Sequence, residues 1–203
     1  MNIFWHTKTC VEINAVPKKD GAVNIIIDPL NKEEASRGKK MKADVFLFTK
    51  KEKRKQENEG FIIDGPGEYE IKEIFIKGIE ISPSLTIYLI TAEDITLCHL
   101  GLINQDELSN SQVEELGDID VLFLPVEGEE CIDAKKAAKI MGQLEPRITV
   151  PVNYKEQGIK SKTSGLKSFL DNLGIKSPES SSKLSLKKKT ILEENSKVVI
   201  LTS

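Results

Sequence analysis

Apolar and polar positions alternate in short stretches over the first two-thirds of the chain. Residues 3–13, 23–27, 43–48, 60–63, 68–71, 74–81, 85–91 and 94–100 each read as a strand. Some of these alternate. Others are continuously apolar, which predicts burial on both faces. Turn signals divide them: Lys18-Lys19-Asp20-Gly21, Gly65-Pro66-Gly67 and Ser82-Pro83-Ser84. Helical spacing appears later. Residues 110–116 predict a short helix capped by Ser109 or Asn110, and 121–125 a buried strand. Residues 133–144 give the strongest helix signal: Asp133 can cap it, and Ala134, Ala137, Ala138, Met141 and Leu144 share a face. A strand at 148–152 and a helix at 164–173, stopped by Gly174, follow. Residues 178–182 are polar and read as a mobile loop. Residues 184–191 and 197–201 read as a terminal hairpin around Glu193-Glu194-Asn195.

This order, strands first and helices later, predicts a mixed α/β (α+β) protein. Its 203 residues are enough for one domain with a sizeable core, and no linker divides them, so 1–203 is expected to form a single domain. Composition is ordinary for a soluble globular protein: 39% apolar and 30% charged. The formal charge of −3 gives no electrostatic reason to expect nucleic acid or an anionic membrane. The apolar runs are strand-sized, well short of the roughly 20 residues of a membrane span. The N-terminus enters a strand pattern directly and has no signal-peptide layout. Cys10, Cys98 and Cys131 are odd in number, far apart and set among apolar residues. They read as buried reduced thiols, which places the protein in a reducing compartment, most simply the cytoplasm.

Several landmarks occur in a telling order. The chain opens with Ile3-Phe4-Trp5-His6-Thr7-Lys8-Thr9-Cys10-Val11, then has Ile25-Ile26-Ile27-Asp28-Pro29 and Ala43-Asp44-Val45-Phe46-Leu47-Phe48-Thr49. Pro66-Gly67-Glu68-Tyr69-Glu70-Ile71 and Cys98-His99-Leu100-Gly101-Leu102 follow. Asp120-Val121-Leu122-Phe123-Leu124-Pro125-Val126-Glu127-Gly128 and Ile148-Thr149-Val150-Pro151-Val152-Asn153-Tyr154 complete the set. Taken in order, these resemble the metallo-β-lactamase superfamily, in its branch of lactonase-like and related zinc-dependent hydrolases. The resemblance spans nearly the whole chain. It implies a four-layer αββα sandwich with a metal site at one edge of two packed sheets.

The resemblance also implies a ligand set, and this chain departs from it. The family follows a strand such as residues 43–48 with Thr-His-x-His-x-Asp-His. Here Lys50 stands at the first His, Glu52 at the second, Arg54 at the Asp and Lys55 at the last His. Leu102 takes the place of the bridging Asp, and Asn153 that of the His before Tyr154. The family's hydrolysis needs metal ions that lower the pKa of a bound water and polarise the scissile bond. Their ligands are imidazoles and carboxylates at about 2 Å. Of the replacements only Glu52 is a good ligand, and cations at 50, 54 and 55 repel a divalent ion. His6 and His99 are the only histidines. The expectation is therefore a degenerate member of the family with no metal and no cofactor, its scaffold kept for binding, regulation or assembly. The alternative is a hydrolase using Glu52, His99, Asn153 and Tyr154 in a non-standard site.

Other chemistries are less well supported by the residues. Cys98 and His99 are adjacent on a strand, so their side chains point to opposite faces and do not form a nucleophile–base pair. No Gly-x-Ser-x-Gly elbow or phosphate loop is present. Glu68 and Glu70 read as a solvated, edge-facing pair, and His6 as packing beside its own strand. The run Lys50-Lys51-Glu52-Lys53-Arg54-Lys55 carries five cations against one carboxylate. It reads as a solvated loop, or as an anion or nucleic-acid site formed by Lys50, Lys51, Lys53, Arg54 and Lys55, which Lys187-Lys188-Lys189 could extend. It lacks the interleaved aromatics that stack bases. The partner is not legible. Open strand edges admit a homodimer or a protein partner, and an anionic ligand would suit the basic run.

Overall fold

The apolar residues of the first strands fall into two sets, as period-2 alternation requires. Val11, Ile13, Val23, Ile25, Ile27, Val45, Leu47 and Ile63 enter the main core, whereas Cys10, Ile26 and Phe46 form a small second cluster with Leu30, Met41, Phe48 and Ile62 around it. One sheet therefore has apolar side chains on both faces. Fully burying each such side chain contributes about 1.5–3 kcal/mol.

The computed structural model describes residues 1–19, 21–31, 41–50, 59–128, 130–154, 165–192 and 196–203. The strands of the first half are β1 (Asn2–Thr7), β2 (Cys10–Ala15), β3 (Val23–Ile27), β4 (Val45–Leu47), β5 (Phe61–Ile63), β6 (Gly67–Ile71), β7 (Ile74–Ser82), β8 (Leu85–Ala92) and β9 (Ile95–His99). Then come α1 (Asn110–Leu116), β10 (Val121–Pro125), α2 (Ala134–Leu144), β11 (Ile148–Val152) and α3 (Gly165–Asn172). The chain closes with β12 (Glu179–Ser181), β13 (Leu184–Ser185), α4 (Lys188–Leu192) and β14 (Lys197–Leu201). Among the described residues the strands form a six-stranded sheet, β13-β1-β2-β3-β4-β5, and an eight-stranded sheet, β12-β14-β11-β10-β9-β8-β7-β6.

The two sheets pack face to face around the main core. The run β9-β10-β11-β14 is parallel, and β10 and β11 are buried at every position. Strands covered on both faces read this way. Helices supply the outer cover of the larger sheet: α2 lies against β10 and α3 against α2, with Ala137, Ile140, Leu166 and Phe169 in the core. The fold class is the expected mixed α/β sandwich.

Four local readings are corrected. The segment 3–13 is two strands, a hairpin whose Lys8 turns at φ 49°. The polar stretch 178–182 contains β12, an edge strand parallel to β14. The segment 184–191 is not one strand: β13 is short and α4 follows it. No terminal hairpin forms, because β13 pairs with β1 in one sheet and β14 with β11 in the other.

Candidate functional site

Parallel strands β9, β10 and β11 end at one edge of the larger sheet, where α/β proteins build their sites. The smaller sheet meets this edge through Thr49, two residues beyond β4. Thr49 O accepts from Thr86 N–H at 2.8 Å, and Lys50 bridges to Leu85, so the chain crosses here from one sheet to the other. Asp28 anchors that crossing. Its carboxylate accepts from Thr49 N–H at 2.8 Å and from the Thr49 hydroxyl at 2.7 Å. The register explains the meeting: β3 and β4 are parallel with Ile27 beside Leu47, so Asp28 lies just past one strand end and Thr49 past the other.

Gly101 comes next to this crossing. It has φ 57°, and a Cβ on it would lie 2.8 Å from Thr49 Oγ1. Its place requires glycine on both counts. Leu102, half-buried, follows it. Asn153 caps β11 in the left-handed region, φ 54°, which Asn tolerates. Its amide nitrogen lies 3.4 Å from Glu127 O and 3.3 Å from Cys131 Sγ, so it donates into the loop after β10. Lys50 Nζ lies 3.3 Å from a Glu130 carboxylate oxygen in the same loop. Both partners are well exposed, so that bridge contributes little to stability. Burial pushes the Cys131 thiol up, against the Asn153 amide, which lowers it.

His99 is wholly buried, and both its ring nitrogens are engaged. Gly101 N–H donates to Nδ1 at 3.0 Å, so the proton resides on Nε2, which donates to Thr9 O at 2.9 Å. Burial lowers its pKa, opposed by the Asp28 charge and the Thr9 bond. The β1–β2 turn is thus pinned to the larger sheet. Lys8 O adds to the hold by accepting from Trp5 Nε1–H at 2.8 Å and Asn153 N–H at 2.7 Å. Tyr154 stacks on Trp5 at 4.5 Å between ring centroids and donates its hydroxyl to Leu201 O. His6 lies on β1. Beyond packing on its strand, its Nε2 lies 2.8 Å from a Glu12 carboxylate oxygen, and that bond holds Glu12 below its usual range despite desolvation. Cys98 is wholly buried with its thiol pushed up, so it is no nucleophile.

Lys50, Leu102 and Asn153 therefore lie at the edge where the resemblance expects ligands. Lys51, Glu52, Lys53, Arg54 and Lys55 lie outside the described residues. An ammonium, an alkyl chain and a neutral amide whose nitrogen is held by the neighbouring loop are not the imidazoles and carboxylates that fit a dinuclear metal centre. Among the described residues no three His, Cys, Asp or Glu side chains are grouped to hold a metal ion. Of the basic residues that the sequence groups, the described Lys50 and Lys188 lie toward opposite ends of β10. Lys188 Nζ is bound 2.8 Å from Asp120, just before β10, whereas Lys50 meets the loop beyond its other end. Sequence reasoning missed the partners Glu127, Glu130 and Cys131. It also missed that Asp28 holds Thr49, although Asp after one strand and Thr after its parallel neighbour was a readable signal.

A family profile described as a β-lactamase superfamily domain matches residues 2–153. Among solved structures, a protein of the metallo-β-lactamase superfamily from Thermotoga maritima, provisionally assigned as a Zn-dependent hydrolase, is similar at 28% identity and TM-score 0.79, covering 99% of this chain and 98% of that one. A protein from Parabacteroides distasonis, provisionally assigned as a metal-dependent hydrolase, is similar at 18% identity and TM-score 0.61, covering 98% and 93%. A metallo hydrolase from Ignicoccus hospitalis is similar at 14% identity and TM-score 0.58, covering 92% and 99%. The last two likenesses speak to the fold alone. With the profile match over most of its length and two sheets packed in the manner of these relatives, the chain belongs to the metallo-β-lactamase superfamily.

Proposed function

We propose that this chain is a degenerate member of its superfamily, one domain over residues 1–203, that has given up metal binding and hydrolysis and acts as a binding, regulatory or structural protein. The observation that carries this is Asn153. At the place of a metal-binding imidazole stands an amide whose nitrogen is turned to Glu127 O and Cys131 Sγ. Lys50 and Leu102 at two further ligand positions support it, since neither side chain donates an electron pair to a metal at neutral pH. His99 and Tyr154, the other described members of a non-standard site, have their polar atoms engaged with Thr9, Gly101 and Leu201. A reducing, cytoplasmic setting suits the three buried cysteines, and among the described residues no helix is long and apolar enough to cross a membrane.

The reading is tested by activity on the bonds such hydrolases cleave. Purified full-length chain, supplied with zinc or manganese, is assayed on small lactones and phosphodiesters. The expected rate equals that of buffer with the same metal. Saturable, metal-dependent turnover that survives repurification would contradict the reading.

A further inference from the structure

Among the described residues β6 closes the larger sheet and pairs on one side only, with β7. The two are joined by Lys72 and Glu73, at φ 48° and 58°, a two-residue hairpin turn of the type that requires two positive φ values. In such a hairpin the pair flanking the turn, Ile71 and Ile74, exchanges both backbone bonds, and bonded and unbonded pairs alternate from there. Tyr69 and Gly67 therefore bond to β7. The N–H and C=O groups of Glu68 and Glu70 point the other way, to the free side. Among the described residues no hydrogen bond reaches them, and both residues are exposed.

Glu68 and Glu70 share a face with their cross-strand neighbours Lys77 and Phe75. Phe75 is 56% exposed, among the most exposed large apolar residues described. The cations of this hairpin are committed elsewhere: Lys77 Nζ lies 3.1 Å from Glu115, and Lys72 Nζ 2.9 Å from Asp44. Neither Glu68 nor Glu70 forms an ion pair with a described residue. The free side thus offers backbone hydrogen-bonding groups, and on the adjoining sheet face stand two carboxylates without an ion pair among the described residues and the Phe75 ring.

A second copy is the wrong occupant. Antiparallel self-pairing through these groups sets Glu68 against Glu68, Glu68 against Glu70, or Glu70 against Glu70. Like charges directly opposite destabilise a strand pair, whereas opposite charges stabilise it by about 0.2–1 kcal/mol each. We propose that β6 is the docking edge for an extended basic segment of a partner protein, added antiparallel as a further strand with Lys or Arg at the alternate positions facing Glu68 and Glu70. Backbone bonds supply the hold, and the carboxylates choose the partner. This docking is independent of whether the superfamily's metal edge is intact.

A synthetic peptide of alternating Lys and Val, titrated against the full chain by fluorescence anisotropy, tests it. Saturable binding is expected, weakening as salt rises. The double variant E68K/E70K should bind this peptide at least about tenfold more weakly and bind its Glu–Val counterpart instead. Methylating the peptide's alternate backbone nitrogens removes donors and keeps the charge, and should likewise cost about tenfold or more. Equal binding by the methylated peptide would reduce the contact to charge attraction and overturn strand addition. Equal binding by the double variant would remove β6 from the account. A dimer of the native chain that E68K/E70K dissolves would show the edge to be a self-interface and contradict the proposal.

Discussion

His99 turns both ring nitrogens to its own protein. Its Nδ1 accepts from Gly101 and its Nε2–H donates to Thr9 O, which fixes a neutral ring in a wholly buried place. The consequence is a pH dependence of stability with a defined sign. Burial holds the folded pKa below the ordinary 6.5, so as pH falls the unfolded chain takes up the proton first. The contribution is intact above about pH 6.5 and is lost progressively below it, until the folded ring itself protonates. Urea unfolding at pH 7.5 and 5.5 should give a lower midpoint at 5.5, and the difference should shrink in His99→Gln. An unchanged difference in that variant would show that the ring is not held neutral. The role was half legible. A buried, hydrogen-bonded histidine follows from its place after an apolar strand, but Thr9 lies 90 positions away in sequence and no local pattern names it.

Elements were readable where one face is apolar and hidden where it is not. The bounds of α1, β10, β11 and β14 follow directly from the sequence pattern, because each is buried on a regular face or on both. β12 is Glu-Ser-Ser, a polar edge strand held by pairing to β14, so no alternation marks it. Residues 184–191 carry Leu184 and Leu186 at strand spacing and Ile191 after three lysines. The pattern does not show that the chain stops pairing at Ser185, since its partner is β1 at the far end of the sequence. Helix α2 shows the opposite case. Asp133 Oδ1 accepts from the backbone N–H groups of Lys135 and Lys136 at 3.0 and 2.9 Å, the cap its sequence predicts. Asp133→Ala should lower stability by about 1 kcal/mol, read as a shift in the denaturation midpoint with no change in fold. A variant as stable as the native chain would mean that α2 is held by its packing alone.

At the scale of the molecule, the sandwich has the form of its superfamily, and we propose that the edge that defines the chemistry has changed its residues. Two sheets meet at Thr49, and Asp28, Gly101 and the β1–β2 turn order that meeting. The order of the landmarks made the fold legible, since strand patterns and turn residues serve packing whatever the function. The edge was legible only as a set of substitutions. Lys50 and Asn153 meet Glu127, Glu130 and Cys131, which the fold brings in from a loop. The central claim is that this edge no longer holds a metal centre. Equilibrium dialysis of the full chain against zinc, followed by elemental analysis after exchange into metal-free buffer, measures this directly. The account predicts retained zinc well below one ion per chain. About two ions per chain, held through the exchange as in a dinuclear hydrolase, would contradict it.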